Sequence, residues 1–311
     1  MIRILGTVFT GLLGLAFGSF LNVCLSRWPA GESVVRPRSH CRHCSHTLAW
    51  WENIPLVSWL ALRGRCRNCR AWVGWRYPLV ELAVGVLWAI SAWQTLHGWQ
   101  TLRGLYEPGL AAVNISNFLF FIGGKMVLCW LLVALAVLDA ENLWLPDWLT
   151  LSGAALGFLL HVLNIGQQWF LASSTPLGVP ISLMLDLRYR IYLFTVWWLL
   201  GILAAPALIL LIRWLYWLIR RREGIGLGDA KLILLLAVWL GLPGVLLAFG
   251  LGVVLGAAVA LVLLVIPATR TNTGAWALKK MPLGTFLCIG GIVSALWGQP
   301  IIHAYLRWVG F

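Results

Sequence analysis

Four of the seven cysteines fall in one hydrophilic segment as two C-x-x-C pairs. The pairs are Cys41–Cys44 and Cys66–Cys69, with 21 residues between them. Four thiolates at this spacing suit a tetrahedral, structural zinc site. A segment of about 50 residues buries too little core to fold alone, so a metal ion would supply the missing stability. Two disulfides are the alternative, and zinc is favoured because we expect this segment to face a reducing cytosol.

Three histidines crowd the first cysteine pair and offer other zinc ligands. They are His40, His43 and His46. Solvated surface histidines are the simpler interpretation, and the sequence therefore predicts the four cysteines as the metal ligands.

Aspartate is scarce in this chain, so the positions of its four copies are informative. They are Asp139, Asp147, Asp186 and Asp229. Asp139 ends a predicted apolar helix, where a carboxylate meets the unfavourable negative end of the helix dipole. An ionisable residue at membrane depth is by default a functional residue. Asp147 precedes the next apolar run, and helix capping explains it.

Asp229 follows three glycines, at Gly224, Gly226 and Gly228, and opens another apolar run. Capping is an alternative here too, but clustered glycines permit unusual backbone angles and the close approach of another chain. No strand precedes them, so this is not a nucleotide-binding motif. We predict that Asp139 and Asp229 meet at one membrane face. Two adjacent carboxyl groups that share a proton can activate water for the hydrolysis of a peptide bond.

The elements that must position these residues are membrane-spanning helices. The chain is 61% hydrophobic and 11% charged, with 21 tryptophans, which excludes an ordinary soluble enzyme. A bilayer core of about 30 Å needs roughly 20 apolar residues per helix. We predict an all-α polytopic membrane protein with about eight transmembrane helices and a small cytosolic zinc-binding loop domain. The predicted spans are 4–26, 78–98, 117–138, 148–170, 190–218, 230–246, 247–267 and 283–303.

The division between the sixth and seventh spans is placed at the tight turn 241–244. The first span lacks a strong basic start and a small-residue cleavage site, so we expect a retained anchor and not a signal peptide. The predicted domains are the first helix (1–26), the Cys₄ loop domain (27–77) and a transmembrane catalytic core of about seven helices (78–311).

The distribution of basic residues predicts the orientation in the membrane. The segment after the first span contains nine arginines, and further basic residues, Arg220, Arg221, Arg222, Arg270, Lys279 and Lys280, follow the fifth and seventh spans. The loops at 99–116 and 171–189 contain few lysine or arginine residues. The positive-inside rule places the arginine-rich loops in the cytosol and both termini outside. The formal net charge of +13 therefore indicates contact with an anionic bilayer leaflet. We do not expect nucleic acid as a partner, because the loop lacks a basic recognition helix.

An ordered series of motifs resembles one family, the type IV prepilin leader peptidases of the bifunctional GxGD aspartic class. The series is Gly18-Ser-Phe-Leu-Asn22, the two cysteine pairs, Trp51-Glu52-Asn53-Ile-Pro55, Arg76-Tyr-Pro-Leu-Val-Glu81, Asp139 with Leu-Pro-Asp147, and Gly226-Leu-Gly228-Asp229-Ala-Lys231. Any one motif is weak, but their order is specific and extends through most of the chain.

This resemblance implies two reactions at the cytosolic face of a bacterial inner membrane. The enzyme would cleave the short basic leader of a type IV prepilin or pseudopilin after a glycine. It would then methylate the new N-terminal amine with S-adenosyl-L-methionine. Asp139 and Asp229 match the catalytic pair of the family. The cysteine loop resembles the part associated with methyl transfer. From this resemblance we expect the cofactor to be bound by Glu52, Asn53, Gly64 and Glu81.

Two departures from the family pattern concern the loops and leave the aspartates untouched. Arg42 stands where the family often has proline, and the chain carries an apparent insertion at about 164–190.

Two other functions use the same residues differently. An ion- or proton-coupled transporter would employ Asp139 and Asp229 as a relay, but such carboxylates belong near the bilayer midplane and these lie at helix ends. A membrane scaffold whose zinc loop recruits a partner leaves the position of Asp139 unexplained.

Overall fold

The computed structural model describes residues 1–103, 111–173, 181–221, 226–265 and 281–310. Gly224 and the basic residues Arg222, Arg270, Lys279 and Lys280 lie outside the described residues, as does part of the 164–190 insertion. The described part contains helices and two isolated β-bridges. The α-helices are α1 (Ile2–Arg27), α2 (Val57–Ala61), α3 (Arg76–Arg103), α4 (Ala111–Asn142), α5 (Asp147–Ser173), α6 (Ile181–Arg220), α7 (Leu227–Val265) and α8 (Leu283–Val309).

The chain forms two compact units, Met1–Val137 and Leu138–Phe311. In the first unit, α1 and α3 pack closely through small residues. A methyl group added at Gly18 would stand 2.7 Å from the Cα of Glu81. Small residues allow helix backbones to approach in this way within membranes. This contact fixes Glu81 beside the cytosol-directed end that we predict for α1.

In the second unit, indole groups join α5 and α6 to α7. The Nε1–H of Trp198 donates to the carbonyl of Val238 at 2.9 Å, and the Nε1–H of Trp239 donates to the carbonyl of Gly153 at 3.0 Å. Each bond satisfies a polar group that would be costly to leave unpaired in an apolar interior. Together they join α5 and α6 to the part of α7 around residues 238–239.

The long helix α7 is broken at Gly241, whose φ of 67° and ψ of 179° are not helical. The start of α7 carries Asp229, which interacts electrostatically with Asp139, and Asp139 in turn bonds Thr285. Phe286, the next residue, lies against Gly256 in the second half of α7. A straight helix would separate residues 229 and 256 by about 40 Å. The chain therefore reverses at Gly241, within the predicted turn 241–244.

Seven helices in the described part of the chain are long and apolar enough to cross a membrane. Eight spans were predicted, and the difference arises at one place, because the predicted sixth and seventh spans lie in the interrupted helix α7. The all-helical, multi-pass architecture is confirmed. The 164–190 insertion is partly helical, since α5 continues to Ser173 and α6 begins at Ile181.

Candidate active site and metal centre

Asp139 lies near the end of α4 and is 6% exposed. Its Oδ2 accepts two hydrogen bonds from Thr285, one from the backbone N–H at 2.6 Å and one from the hydroxyl at 3.1 Å. The first turn of a helix has unpaired N–H groups, which make it a favourable partner for a carboxylate. The start of α8 thus stabilises an acid that the end of α4 alone would disfavour.

The approach of α8 to Asp139 requires a glycine. A methyl group added at Gly284 would stand 2.9 Å from Oδ2 of Asp139 and 3.0 Å from Cδ1 of Leu145. Gly284 and Thr285 were not selected from the sequence. The signal that could have found them is a small residue and a hydroxyl donor at the very start of an apolar helix.

Asp229 lies within the first turn of α7, so it is not the capping residue that the sequence left open. Its Oδ2 accepts the backbone N–H of Gly226 at 3.3 Å. Leu145 packs against this turn, since a methyl group at Gly228 would stand 3.4 Å from its side chain. Leu145 therefore contacts both the glycine before Asp229 and the glycine beside Asp139.

The structure brings Asp139 and Asp229 together, although they are 90 positions apart in the sequence. Their carboxyl groups are close enough to interact electrostatically, and the buried thiol of Cys288 is close to both. The arrangement places two acids from separate helices in one small region, where one can donate a proton while the other accepts one.

The sequence context of Asp147 indicates the capping residue that precedes a helix, but the structure places Asp147 inside the helix. It is the first residue of α5, and the backbone N–H of Thr150 bonds the carbonyl of Pro146. Its carboxylate instead pairs with Lys231, two residues after Asp229, with 2.6 Å between Nζ and Oδ1. This ion pair joins the start of α5 to the first turns of α7.

The two cysteine pairs form matching knuckles, a short internal repeat that sequence inspection missed. In the first, the N–H of Cys41 bonds the carbonyl of His46, and in the second the N–H of Cys66 bonds the carbonyl of Ala71. Each turn contains one residue of positive φ. This residue is Ser45 in the first turn and Arg70, 25 positions later, in the second. Equivalent turns on facing segments direct four sulfurs to one point.

The four sulfurs have the geometry of a tetrahedral metal site. All lie within 4.8 Å of one another. The Sγ atoms of Cys41 and Cys69 are 3.8 Å apart, and those of Cys44 and Cys66 are 4.0 Å apart. Zinc–sulfur bonds of about 2.3 Å imply sulfur–sulfur distances of about 3.8 Å. A disulfide needs about 2.05 Å, so the four thiols are not paired as disulfides.

The electrostatics of the knuckles favour metal-binding thiolates at two positions. A hydrogen bond from the backbone N–H of His46 lowers the pKa of Cys44 to about 6, and the N–H of Cys69 lowers the pKa of Cys66. The N–H of Ala71 acts to lower the pKa of Cys69, but desolvation and the neighbouring thiols together raise it to about 11. Thiolates are the form that binds metal ions, so binding at this cluster displaces protons.

A cavity of about 540 Å³ lies between the knuckles and the adjoining ends of α1 and α3. All four residues selected for methyl transfer line it, namely Glu52, Asn53, Gly64 and Glu81. A side chain at Gly64 would collide with Trp59 and Trp72, since an added methyl group would stand 2.9 and 2.8 Å from their rings. Gly64 therefore serves close packing as well as a turn of positive φ.

Two of the glutamates that line the cavity, Glu52 and Glu81, are buried and differently paired. Glu52 accepts the N–H of Ala49 at 2.7 Å through Oε2, while its Oε1 has no hydrogen-bond partner in the described structure. Glu81 accepts the N–H of Leu56 at 2.8 Å. Both carboxylates therefore also hold the backbone of the loop.

Arg42, the departure from the family pattern, fixes the first knuckle to the end of α1. Its guanidinium donates to the carbonyl of Ser26. Arg27, which is buried, donates to the carbonyls of Ser33 and Pro37 at 2.7 Å. The loop is thus anchored to α1 by arginine hydrogen bonds to backbone oxygens.

Known proteins resemble this chain along most of its length. A family model described as the bacterial peptidase A24 N-terminal domain matches residues 12–95, and a model described as the type IV leader peptidase family matches residues 126–261. A prepilin leader peptidase/N-methyltransferase of Stutzerimonas stutzeri is 31% identical over 95% of this chain and 92% of its own length.

The chain belongs to the type IV leader peptidase family.

Other relatives of this family carry the same name. The prepilin leader peptidase/N-methyltransferase of Pseudomonas aeruginosa is 31% identical over 97% of the chain and 94% of its own length. That of Burkholderia pseudomallei strain 1026b is 34% identical over 94% of the chain and 85% of its own length. No solved structure matches the chain. Membership of the family favours the peptidase interpretation over the transporter and the scaffold.

Proposed function

We propose that the chain removes the short basic leader of type IV prepilins or pseudopilins and then methylates the new N-terminal amine. The observation that carries the peptidase half is the meeting of Asp139 and Asp229 at the ends of two separate helices. The names of the full-length relatives support both halves.

In the proposed cleavage, one of the two aspartates is ionised and the other is protonated. The ionised carboxylate takes a proton from a water molecule, whose oxygen attacks the carbonyl carbon of the scissile bond. The protonated carboxyl group gives its proton to the carbonyl oxygen, which forms a tetrahedral intermediate. The first carboxyl group then passes the proton that it took from water to the amide nitrogen, and the peptide C–N bond breaks as the other carboxylate takes a proton back from a hydroxyl of the intermediate. The two hydrogen bonds from Thr285 hold Asp139 in place during these transfers.

For methyl transfer, we propose that S-adenosyl-L-methionine binds in the cavity lined by Glu52, Asn53, Gly64 and Glu81. Bound there, it would supply the methyl group. Oε1 of Glu52 has no hydrogen-bond partner among the described residues, and this supports a ligand at this place, because such a buried atom is costly to leave unpaired.

The cysteine cluster is proposed to hold a structural zinc ion. The four sulfurs fit the required tetrahedron, and all four coordination positions would be taken by protein ligands. The ion would stabilise the knuckles, which form one wall of the cavity. By the positive-inside rule, we further propose that this loop and the aspartates face the cytosol of a bacterium, at its inner membrane.

One assay tests the proposal. The purified chain in detergent is incubated with a prepilin and S-adenosyl-L-methionine, and leader removal and methylation are followed by mass spectrometry. Asp139→Asn and Asp229→Asn should each lower leader removal by at least about 100-fold, since general acid–base catalysis contributes about 10²–10⁴. Asp186→Asn is the matched control, because that exposed aspartate pairs with Arg190 on the surface of α6. Unchanged cleavage in both test variants would refute the aspartic peptidase.

A further inference from the structure

An exposed apolar face lies on the cysteine loop beside the start of α3. Its members are Val57, Leu60, Trp72, Trp75 and Leu79, whose exposed fractions range from 51% to 67%. We call this set the tryptophan face. Large apolar side chains that cluster on a surface indicate a binding surface.

The tryptophan face has a fixed structure. The rings of Trp59, Trp72 and Trp75 contact one another in a triangle. The ring centroid of Trp59 lies 4.5 Å from that of Trp75 and 5.9 Å from that of Trp72, and the centroids of Trp72 and Trp75 are 6.0 Å apart. The indole N–H of Trp59 donates to the carbonyl of Val73 at 3.1 Å. The rings are thus held in place and do not depend on a partner for their arrangement.

The tryptophan face continues a stripe of exposed residues along the membrane-spanning helix α3. Trp75, Leu79, Leu82, Val86 and Trp93 follow one another at spacings of three, four or seven residues, and all are at least 43% exposed. These spacings place them on one side of the helix. Since α3 is a candidate membrane span from Arg76 to Gly98, we expect this exposed stripe to face lipid, with Trp75 at its end.

The short helix α2 is fixed at the same level. The backbone N–H of Leu56, which precedes α2, donates to Glu81 in the second turn of α3. Val57 and Leu60 of α2 are therefore held beside the end of the span, and not at the far tip of the loop.

The charges around the tryptophan face suit an anionic surface. The sequence from 53 to 80 contains no acidic residue and five arginines, Arg63, Arg65, Arg67, Arg70 and Arg76. Basic residues next to a span are attracted to anionic headgroups, and tryptophan is enriched at the interface between lipid and water. A second copy of the chain docking through the same face would bring like charges together, which disfavours that occupant.

We propose that the tryptophan face lies in the headgroup region of the bilayer and binds anionic lipid. The loop would then be held on the membrane surface at two places, by its covalent entry into α3 and by this face. Trp59 and Trp72 also line the 540 Å³ cavity. Lipid contact on one side of these rings therefore fixes the cavity wall close to the membrane surface.

Photo-crosslinking of the full chain tests this proposal. Benzoylphenylalanine is placed at Leu60 or at Trp75, and the chain is reconstituted into vesicles of phosphatidylglycerol with phosphatidylcholine or of phosphatidylcholine alone. The matched control carries the same group at Thr47, an exposed polar position in the first knuckle. Metal content and elution volume verify that each variant is folded.

We expect several-fold more lipid adduct at Leu60 and Trp75 than at Thr47, with phosphatidylglycerol preferred in the mixed vesicles. Replacing Arg63 and Arg65 by glutamine should remove that preference. Adducts to a second copy of the chain, or lipid adducts no more frequent than at Thr47, would overturn the proposal. These outcomes do not depend on peptidase or methyltransferase activity.

Discussion

Thr285 donates two hydrogen bonds to the same carboxylate oxygen of Asp139. The two residues are 146 positions apart, and the bonds join the end of α4 to the start of α8. A carboxylate at a helix C-terminus is disfavoured by the helix dipole, and the N-terminus of a second helix offsets that cost. These bonds explain how a carboxylate can be maintained at the C-terminal end of a helix. We infer that Thr285 is a positioning residue for Asp139.

Replacing Thr285 with valine should reduce leader removal by about tenfold, because a hydrogen bond to a charged group contributes roughly 1.5–3 kcal/mol. The backbone N–H remains, so activity is not abolished. Thr285→Ser, which keeps the hydroxyl, should retain most of the rate. The effect is expected in kcat with KM little changed, measured on a prepilin in detergent. A rise in KM with an unchanged kcat would contradict a role in orienting Asp139.

Replacing Gly284 with alanine should impair cleavage strongly, although the substitution adds only one methyl group. The added methyl group would stand 2.9 Å from Oδ2 of Asp139, so either the carboxylate or α8 must shift. Gly250→Ala is the control, since a methyl group there meets no atom of the described part of the chain within 4 Å. Rates of leader removal and thermal stability are compared for both variants. Equal activity in the two would show that the close approach of α8 is dispensable.

Breaking the ion pair between Lys231 and Asp147 should lower cleavage several-fold while changing stability little. The two side chains are 33% and 61% exposed, so solvent screening limits the pair to less than about 1 kcal/mol. Its effect is on the placement of Asp229, two residues before Lys231. Lys231→Met and Asp147→Asn should behave alike, and the exchanged pair Lys231→Asp with Asp147→Lys should recover activity. Failure of the exchange to recover any activity would count against a positioning role.

Removing one knuckle cysteine should abolish zinc binding and methylation. Cys41→Ala and Cys66→Ala each take one ligand from a closed four-sulfur site, and the knuckles then lose the stabilisation that the ion provides. Cys24→Ala is the control, because Cys24 is a buried cysteine outside the cluster. Metal content is measured by mass spectrometry of the purified chains. Intact protein without zinc would refute this account of the loop.

Replacing Glu52 with glutamine should reduce methylation by about tenfold or more and leave leader removal intact. The change removes a buried charge-assisted hydrogen bond to the N–H of Ala49 and puts a donor where an acceptor stood. Glu32→Gln, at an exposed carboxylate on the same cavity, is the control and should have a smaller effect. Both reactions are read from one sample by product mass. Equal losses of cleavage and methylation would contradict the separation of the two sites.

Much of the fold could be predicted because its signals are local. Apolar runs of about 20 residues predict spans without knowledge of their neighbours. The turn within α7 could also be predicted, since the break at Gly241 lies in the predicted turn 241–244 and the two halves of α7 correspond to the predicted sixth and seventh spans. The four cysteines could be grouped because a metal site needs a known number of ligands at known spacings.

The partners of the aspartates could not be predicted because they depend on packing between distant segments. Asp139 and Asp229 could be predicted from their positions at helix ends. The signal for Gly284 and Thr285, a small residue and a hydroxyl donor at the start of an apolar helix, does not show that they contact Asp139. Asp147 was interpreted as a helix cap because capping is a local rule. Its actual partner, Lys231, is 84 positions away, and only the tertiary structure brings them together.

We propose that Asp139 and Asp229 act as one catalytic unit. The most direct test of this proposal is the rate of leader removal by Asp139→Asn, Asp229→Asn and the double variant, measured side by side in detergent on one prepilin. Residues that act as a unit give non-additive losses. The account predicts that each single variant loses as much activity as the double variant. A single variant that cleaves at the original rate, or losses that simply multiply in the double variant, would contradict it.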